Sequence, residues 1–464
     1  MSMGNFFNKE PPPYYEHQKA TMDLLRQENR VLDLSDPGTG KTRPALGSYI
    51  ARLEKQGKRC LVLATKSILQ SAWGDDIDKF FPGVRYDIAY ANVRKKVLEK
   101  STADILITNH DAVRSLVGKK SLVNPAFWKG FDTIIVDEST AFKNHTSARS
   151  KAIYSIAKLM EFRECMTGTP NPKSILDIWH QAKLVDDGER LGAQYWKFRS
   201  AVCEPVQVGP RKEMVKWVDK EGAEYAVFDL LGDIVIRHKF EDCTDIPENF
   251  VTEYRIDLAP KLRKQYSDMM AIAAAMLSDG KFLTAVNAAS VHQKLMQMAS
   301  GAVYTEQGKY SVLDDQRSEL VMDLVEERES CLIAFNWRHQ RVGLEAAAKK
   351  RGISYAVIDG TVNDAGRRDA VEGFQAGRYR CLFAHPQSAG HGLTLTQGTT
   401  TIWTSPTYNA EHYKQFNHRI YRSGQTKRTE TIHIAARDTI DERVFAKLGD
   451  KLTSMQLLLD LLEK

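Results

Sequence analysis

The sequence predicts an α/β protein built from two parallel-sheet units in tandem, with helical insertions between them. Three observations carry this. Short apolar runs of strand length recur along the whole chain of 464 residues. Segments with helical spacing separate those runs. Within the runs, apolar residues are consecutive rather than alternating, as in strands buried on both faces. A chain of this length exceeds one ordinary core and is expected to hold two or three domains.

In the first half the strand candidates are RCLVLATK (59–66), ADILITNH (103–110), FDTIIVDE (131–138) and FRECMTGTP (162–170). In the second they are SCLIAFNW (330–337), ISYAVIDG (353–360), YRCLFAHP (379–386), TTTIWTSP (399–406) and ETIHIAAR (430–437). The first unit is expected to span residues 1–240. It includes an insertion at about 200–235, whose core (205–228) has mixed charge and short β-like pieces. Residues 241–305 are rich in Ala, Met and Leu at helical spacing and read as a helical linker or protrusion. The second unit is expected over 306–464, closing in an amphipathic helical tail.

Hydrophobic content of 42% and charged content of 27% fit a soluble globular protein. No apolar run reaches the roughly 18 residues of a membrane span, and the first 15 residues lack a signal-peptide core. A cytoplasmic location without membrane contact is therefore expected. The net charge of +6 is compatible with a nucleic-acid partner but too small to indicate one. The six cysteines are scattered, with no C-x-x-C pair. Cys60, Cys331 and Cys381 begin apolar runs and read as small buried hydrophobes.

Three stretches carry chemistry. In LSDPGTGKTRPA (34–45), Gly38 and Gly40 allow a tight turn that aims N–H groups at phosphates, Lys41 can reach the β- and γ-phosphates, and Thr42 can hold Mg2+. Ser35 stands where the usual loop begins with glycine. In IIVDEST (134–140), Asp137 and Glu138 end an apolar strand, which is where parallel sheets bind ligands. One carboxylate suits Mg2+; the next suits activation of the attacking water. In QFNHRIYRSGQTKR (415–428), Arg419 and Arg422 are three apart and would share a face on a helix. A guanidinium there could stabilise charge on a transferring phosphoryl group.

In this order the motifs resemble the superfamily-two helicases and, within them, the Swi/Snf-type DNA-dependent ATPases. DPGTGKT (36–42) is similar to the family loop, whose entrance is also not glycine. DESTAFKN (137–144) resembles its acidic motif, with Thr140 in place of His. MTGTPNPKSILDIW (166–179), SAGHGLTLT (388–396), QFNHRIYRSGQ (415–425) and DTIDERVFAKL (438–448) match later motifs, with departures at Ala389 and Thr394. The resemblance runs from about residue 14 to about residue 450.

It implies two RecA-like lobes, ATP and Mg2+ as cofactors, and ATP hydrolysis stimulated by DNA. By this resemblance Gln18 reads adenine, Thr39 belongs to the ATP loop, and Thr167, Gly168, Thr169 and Gln415 couple the lobes. Thr65, Lys66, Ser67, Asn109, Lys143, Thr361, Gly390 and His391 face the DNA backbone, with Asn144 beside Lys143. The chain resembles a bare bacterial or phage motor: a monomer acting on duplex or forked DNA independently of sequence, with a replication, repair or transcription protein as candidate partner. An ATP-dependent DNA translocase or remodelling motor is the leading reading. A strand-separating helicase or fork-remodelling and annealing enzyme, and an ATP-gated nucleic-acid-binding module acting with a partner, remain open.

Overall fold

The computed structural model describes residues 12–446 except 56, 119, 171–173, 208–214, 244–246, 279–284, 306, 390–392 and 423, and only the backbone of 67, 228, 272–278 and 285–289. Gly390, His391 and residues 447–464 of the expected helical tail lie outside it. The chain divides into two compact units, the first ending at Asp245 and the second running Ile246–Leu452.

The first unit contains β1 (Arg30–Asp33), β2 (Arg59–Ala64), β3 (Tyr86–Ile88), β4 (Ile105–Asn109), β5 (Phe131–Asp137), β6 (Phe162–Met166), β7 (Cys203–Gln207), β8 (Val215–Asp219) and β9 (Val235–Ile236). Seven of them form one parallel sheet in the order β3-β4-β2-β5-β6-β1-β9. β7 and β8 form a separate antiparallel hairpin, Cys203 opposite Asp219 and Pro205 opposite Trp217. The helix Ala223–Leu231 follows this hairpin.

The second unit contains β10 (Asn249–Ile256), β11 (Ala302–Tyr304), β12 (Tyr310–Val312), β13 (Cys331–Ala334), β14 (Tyr355–Ile358), β15 (Cys381–Ala384), β16 (Thr400–Trp403) and β17 (Thr429–Ala436). Its parallel sheet runs β10-β17-β16-β13-β15-β14. Consecutive residues serve opposite faces. Cys331, Ile333, Cys381 and Phe383 pack into one core, while Leu332, Ala334, Leu382 and Ala384 pack into another. This is why these strands read as continuous apolar runs. Cys60, Cys331 and Cys381 are buried and free, and burial pushes the Cys331 thiol up to about 12.

Residues 241–305 differ from the helical expectation at both ends, with β10 before the helices and β11 (Ala302–Tyr304) after them. The helices Pro260–Ser278 and Ala285–Ala299 are present. Before them, however, β10 pairs with β17 along all eight of its residues. Asn249–Ile256 is rich in β-branched and aromatic residues interleaved with charge, which suits a half-exposed edge strand.

Arg317 organises the second unit from inside. It is buried and donates to the carbonyls of Ala299 (2.7 Å), Thr404 (2.5 Å) and Ile434 (2.8 Å), and it pairs with Asp441 at 2.8 Å. A buried guanidinium is tolerated only when its donors are satisfied in this way.

Candidate functional site

The phosphate loop connects β1 to the helix Thr42–Leu53. Its two left-handed residues are Gly38 (φ 90°) and Gly40 (φ 76°). Ser35 is not among the left-handed residues, so no glycine is required there. Instead, buried Ser35 donates its N–H to Asp33 Oδ1 (2.9 Å) and accepts the His238 N–H on its hydroxyl (3.0 Å).

The residues after β9 continue this latch. The Leu34 N–H donates to Ile236 O (2.8 Å) and the Asp36 N–H to His238 O (3.0 Å). The Asp36 carboxylate accepts the Phe240 N–H (3.2 Å) and pairs with buried Arg237 at 3.5 Å. Burial, and behind it the charges of His17, Lys41 and Arg237 acting against Asp33, hold the His238 imidazole below its ordinary range.

Gln18 and His17 brace the loop from the first helix, Glu16–Gln27. Gln18 Nε2 donates to Gly40 O (3.1 Å), and His17 Nε2 donates to Thr39 O (2.8 Å). A Cβ at Gly40 would come within 2.8 Å of that Gln18 amide. Lys41 Nζ donates to the carbonyls of Ser35 (2.6 Å) and Asp36 (3.0 Å), which holds its charge over the loop.

Asp137 and Glu138 leave the C-terminal end of β5, two strands from β1. Glu138 is left-handed at φ 49°, a strained conformation for a residue with a side chain, and such strain concentrates at functional sites. Thr167 Oγ1 donates to Glu138 Oε2 at 3.5 Å, and a Cβ on Gly168 would meet the Pro37 ring at 2.5 Å. The Thr169 N–H donates back to Thr167 Oγ1 (3.2 Å). The loop, the acidic pair and the Thr167–Gly168–Thr169 segment are therefore one constellation.

Desolvation first, and then the Glu138 charge, push the Asp137 carboxyl up to about 6. The Trp73 indole N–H opposes this by donating to Asp137 Oδ2 at 3.0 Å. Trp73 is fully buried on a π-helical turn, Leu69–Gly74, a geometry often found at functional sites. It follows the segment Thr65–Lys66–Ser67 at the end of β2. Trp73 and Gln181 were not recognisable from the sequence. Gln181 accepts from Ser139 Oγ (2.7 Å) and donates to Pro170 O (2.6 Å), clasping the residues after the acidic pair to those after Thr169.

The Thr42 hydroxyl and the Asp137 carboxylate are hard oxygen donors, of the kind that would suit Mg2+. Trp73→Phe removes the indole N–H that Asp137 Oδ2 accepts. It is expected to weaken Mg2+ binding alongside ADP by roughly 10–100-fold. Calorimetric titration of ADP with and without Mg2+ checks this, and an unchanged Mg2+ dependence would remove Trp73 from the site.

In the second unit, the helix Ala410–Asn417 stops before the arginines, correcting the expectation that Arg419 and Arg422 share a helical face. The Arg419, Ile420 and Tyr421 N–H groups bond to Phe416 and Asn417 carbonyls in successive turns. The two side chains still converge: Arg419 Nη1 (3.2 Å) and Arg422 Nη1 (3.0 Å) both donate to Leu393 O. Arg419 is nearly buried and also donates to Gln415 O (2.8 Å). Gln415 is buried and donates to Glu411 (3.2 Å).

Among the described residues, those expected to face DNA lie at or just after the C-terminal ends of strands. Thr65 precedes the turn Lys66–Ile68, and Lys66 sits over the Tyr90 ring. Asn109 is mostly buried and accepts from Arg94 (2.8 Å). Lys143 pairs with Asp177 at 3.0 Å. Thr361 donates to Asp359 (2.7 Å) and accepts from Arg341 (3.2 Å). It borders a cavity of about 850 Å³ at the ends of β13, β14 and β15, which Asn336, Arg338 and Ser388 also line.

A glycine-turned loop at a helix N-terminus, a lysine, and an acidic pair two strands away in the same parallel sheet define a P-loop ATPase. The chain matches the SNF2-related domain over residues 17–302 and the helicase conserved C-terminal domain over 316–424, and it belongs to the SNF2-related family. It is 30% identical to protein p41 of Acyrthosiphon pisum secondary endosymbiont phage 1, over 98% of this chain and 99% of that one. An uncharacterised ATP-dependent helicase of Mycoplasma pneumoniae is 24% identical over 84% of this chain, and the DNA annealing helicase and endonuclease ZRANB3 of Bos taurus is 24% identical over 92%. This chain spans only 36% and 38% of the length of those two. The Sulfolobus solfataricus SWI2/SNF2 ATPase core in complex with dsDNA is 19% identical, covering 96% of this chain and 92% of that one, with a TM-score of 0.44. Among the described residues no helix is long and apolar enough to cross a membrane.

Proposed function

We propose that this chain is a translocase that moves along duplex DNA, contacting its backbone, by hydrolysing ATP. One observation carries the reading. The phosphate loop, the Asp137–Glu138 pair and the Thr167–Gly168 segment form a single hydrogen-bonded and packed constellation. A binding module has no need of a strained glutamate beside a threonine relay; a motor does, because hydrolysis must be reported to the parts that move.

In this reading the loop amides and Lys41 hold the ATP phosphates, and Gln18 fixes the loop against the base-binding side. Thr42 and Asp137 would hold Mg2+, which would supply charge neutralisation at the phosphates. Glu138 orients the attacking water and takes its proton. Arg422, with Arg419 beside it, stabilises charge on the transferring phosphoryl group, so that turnover requires the second unit. Thr167 senses the state of Glu138. Thr65, Lys66, Ser67, Asn109, Lys143 and Thr361 lie along the track for the DNA backbone, which must be read without regard to sequence.

Steady-state hydrolysis without nucleic acid, and with single-stranded DNA, blunt duplex, forked DNA and RNA, tests this. Blunt duplex is expected to stimulate strongly. Stimulation by single strands alone would replace translocation on duplex with strand separation. Equal low rates throughout would leave a gated binding module.

A further inference from the structure

ATP turnover makes no use of a feature where the helix Tyr195–Val202 meets the β7–β8 hairpin. Trp196 on that helix is 60% exposed. One turn later, the Arg199 guanidinium lies 4.5 Å from the Trp196 ring centre and 3.8 Å from that of Trp217 on β8. Two indoles thus hold the cation by its attraction to their π faces. Its Nε is buried without a hydrogen-bond partner, and no carboxylate among the described residues pairs with it. Asp219, on the same face of the hairpin as Trp217, is already bonded by Ser174 Oγ (2.6 Å) and the Ile175 N–H (3.0 Å). Behind this ledge Tyr195 lies against His145 at 4.0 Å and edge-on to Trp179 at 5.4 Å, which fixes the start of the helix.

A cation–π pair that serves only the fold would bury its outer ring and satisfy its charge. Here the outer indole faces solvent and the guanidinium has no ion-pair partner among the described residues. We propose that Trp196, Arg199 and Trp217 form a landing site for an unpaired nucleic-acid strand. The exposed indole stacks on a base, and the guanidinium, kept flat between the rings, takes the adjoining phosphate through its fork. Duplex DNA offers the phosphate but hides its base faces, so the ledge selects opened strands such as those at a fork. This extends the motor reading above and supplies the translocase with a preference for junctions.

The test uses the full chain without nucleotide and measures anisotropy of a labelled single-stranded oligonucleotide and of a blunt duplex. Trp196→Ala and Arg199→Ala are each expected to weaken single-strand binding roughly tenfold, with Trp196→Phe largely restoring it because a stacking ring returns. Arg199→Ala should also flatten the single-strand salt dependence by about 0.7 in log–log slope, the contribution of one phosphate contact. Duplex affinity and duplex-stimulated hydrolysis should stay as in the unaltered protein. Unchanged single-strand affinity in both alanine variants overturns the proposal, as does an equal loss on single strands and duplex. Failure of duplex to stimulate the unaltered protein would count against translocation on its own, while the oligonucleotide titration would still decide the ledge.

Discussion

Glu138→Gln is expected to lower the rate of ATP hydrolysis by about 10²–10⁴-fold, the usual contribution of a positioned general base, while ATP affinity is retained. Glutamine keeps the shape of the side chain and can still accept from Thr167 Oγ1, which stands 3.5 Å from Glu138 Oε2. It cannot take a proton from water. The left-handed backbone at this residue is unaffected by the exchange, so a folding defect is not the expected route to loss. Single-turnover hydrolysis together with titration of a fluorescent ATP analogue separates the two quantities. Hydrolysis at the unaltered rate would mean that some other group activates the water.

Arg422→Ala is expected to lower turnover by about 10³-fold or more, the scale on which a transition-state arginine acts. The geometry makes this variant informative. Arg422 shares the Leu393 carbonyl with Arg419, so that carbonyl keeps a donor when Arg422 is shortened. Arg419 is the poorer test: its nearly buried guanidinium also holds Gln415 O, and removing it would disturb the local fold. ATP affinity should change little with Arg422→Ala, since the loop belongs to the first unit. A variant that hydrolyses ATP normally at saturating DNA, yet binds DNA more weakly, would reassign Arg422 to a DNA phosphate.

The parallel sheets were legible because their strands are buried on both faces and leave uninterrupted apolar runs such as Cys60–Ala64. β10 was not, because an edge strand half in solvent alternates charge with apolar residues and lies beside a long Ala- and Met-rich stretch. The loop, Lys41 and the acidic pair were legible because their chemistry depends on short spacings. The residues that fix them were not. Trp73 reaches Asp137 across 64 positions, and Arg237 reaches Asp36 across 201. Helical spacing was also a poor guide after Asn417, where the chain turns through residues 418–421 and passes a left-handed Gly424.

The latch between the phosphate loop and the residues after β9 has a consequence for how the protein comes into being. The loop is made within the first 42 residues, but its entrance is braced by Ile236, Arg237, His238 and Phe240. On a ribosome, which releases the chain from its N-terminus, the helix and strands around the loop can assemble while those braces are still unmade. The braced entrance of the loop is therefore among the last features the first unit can complete. A nascent or cleaved fragment ending before residue 235 would carry the loop and the acidic pair yet lack the partners that Ser35 and Asp36 find in His238, Phe240 and Arg237.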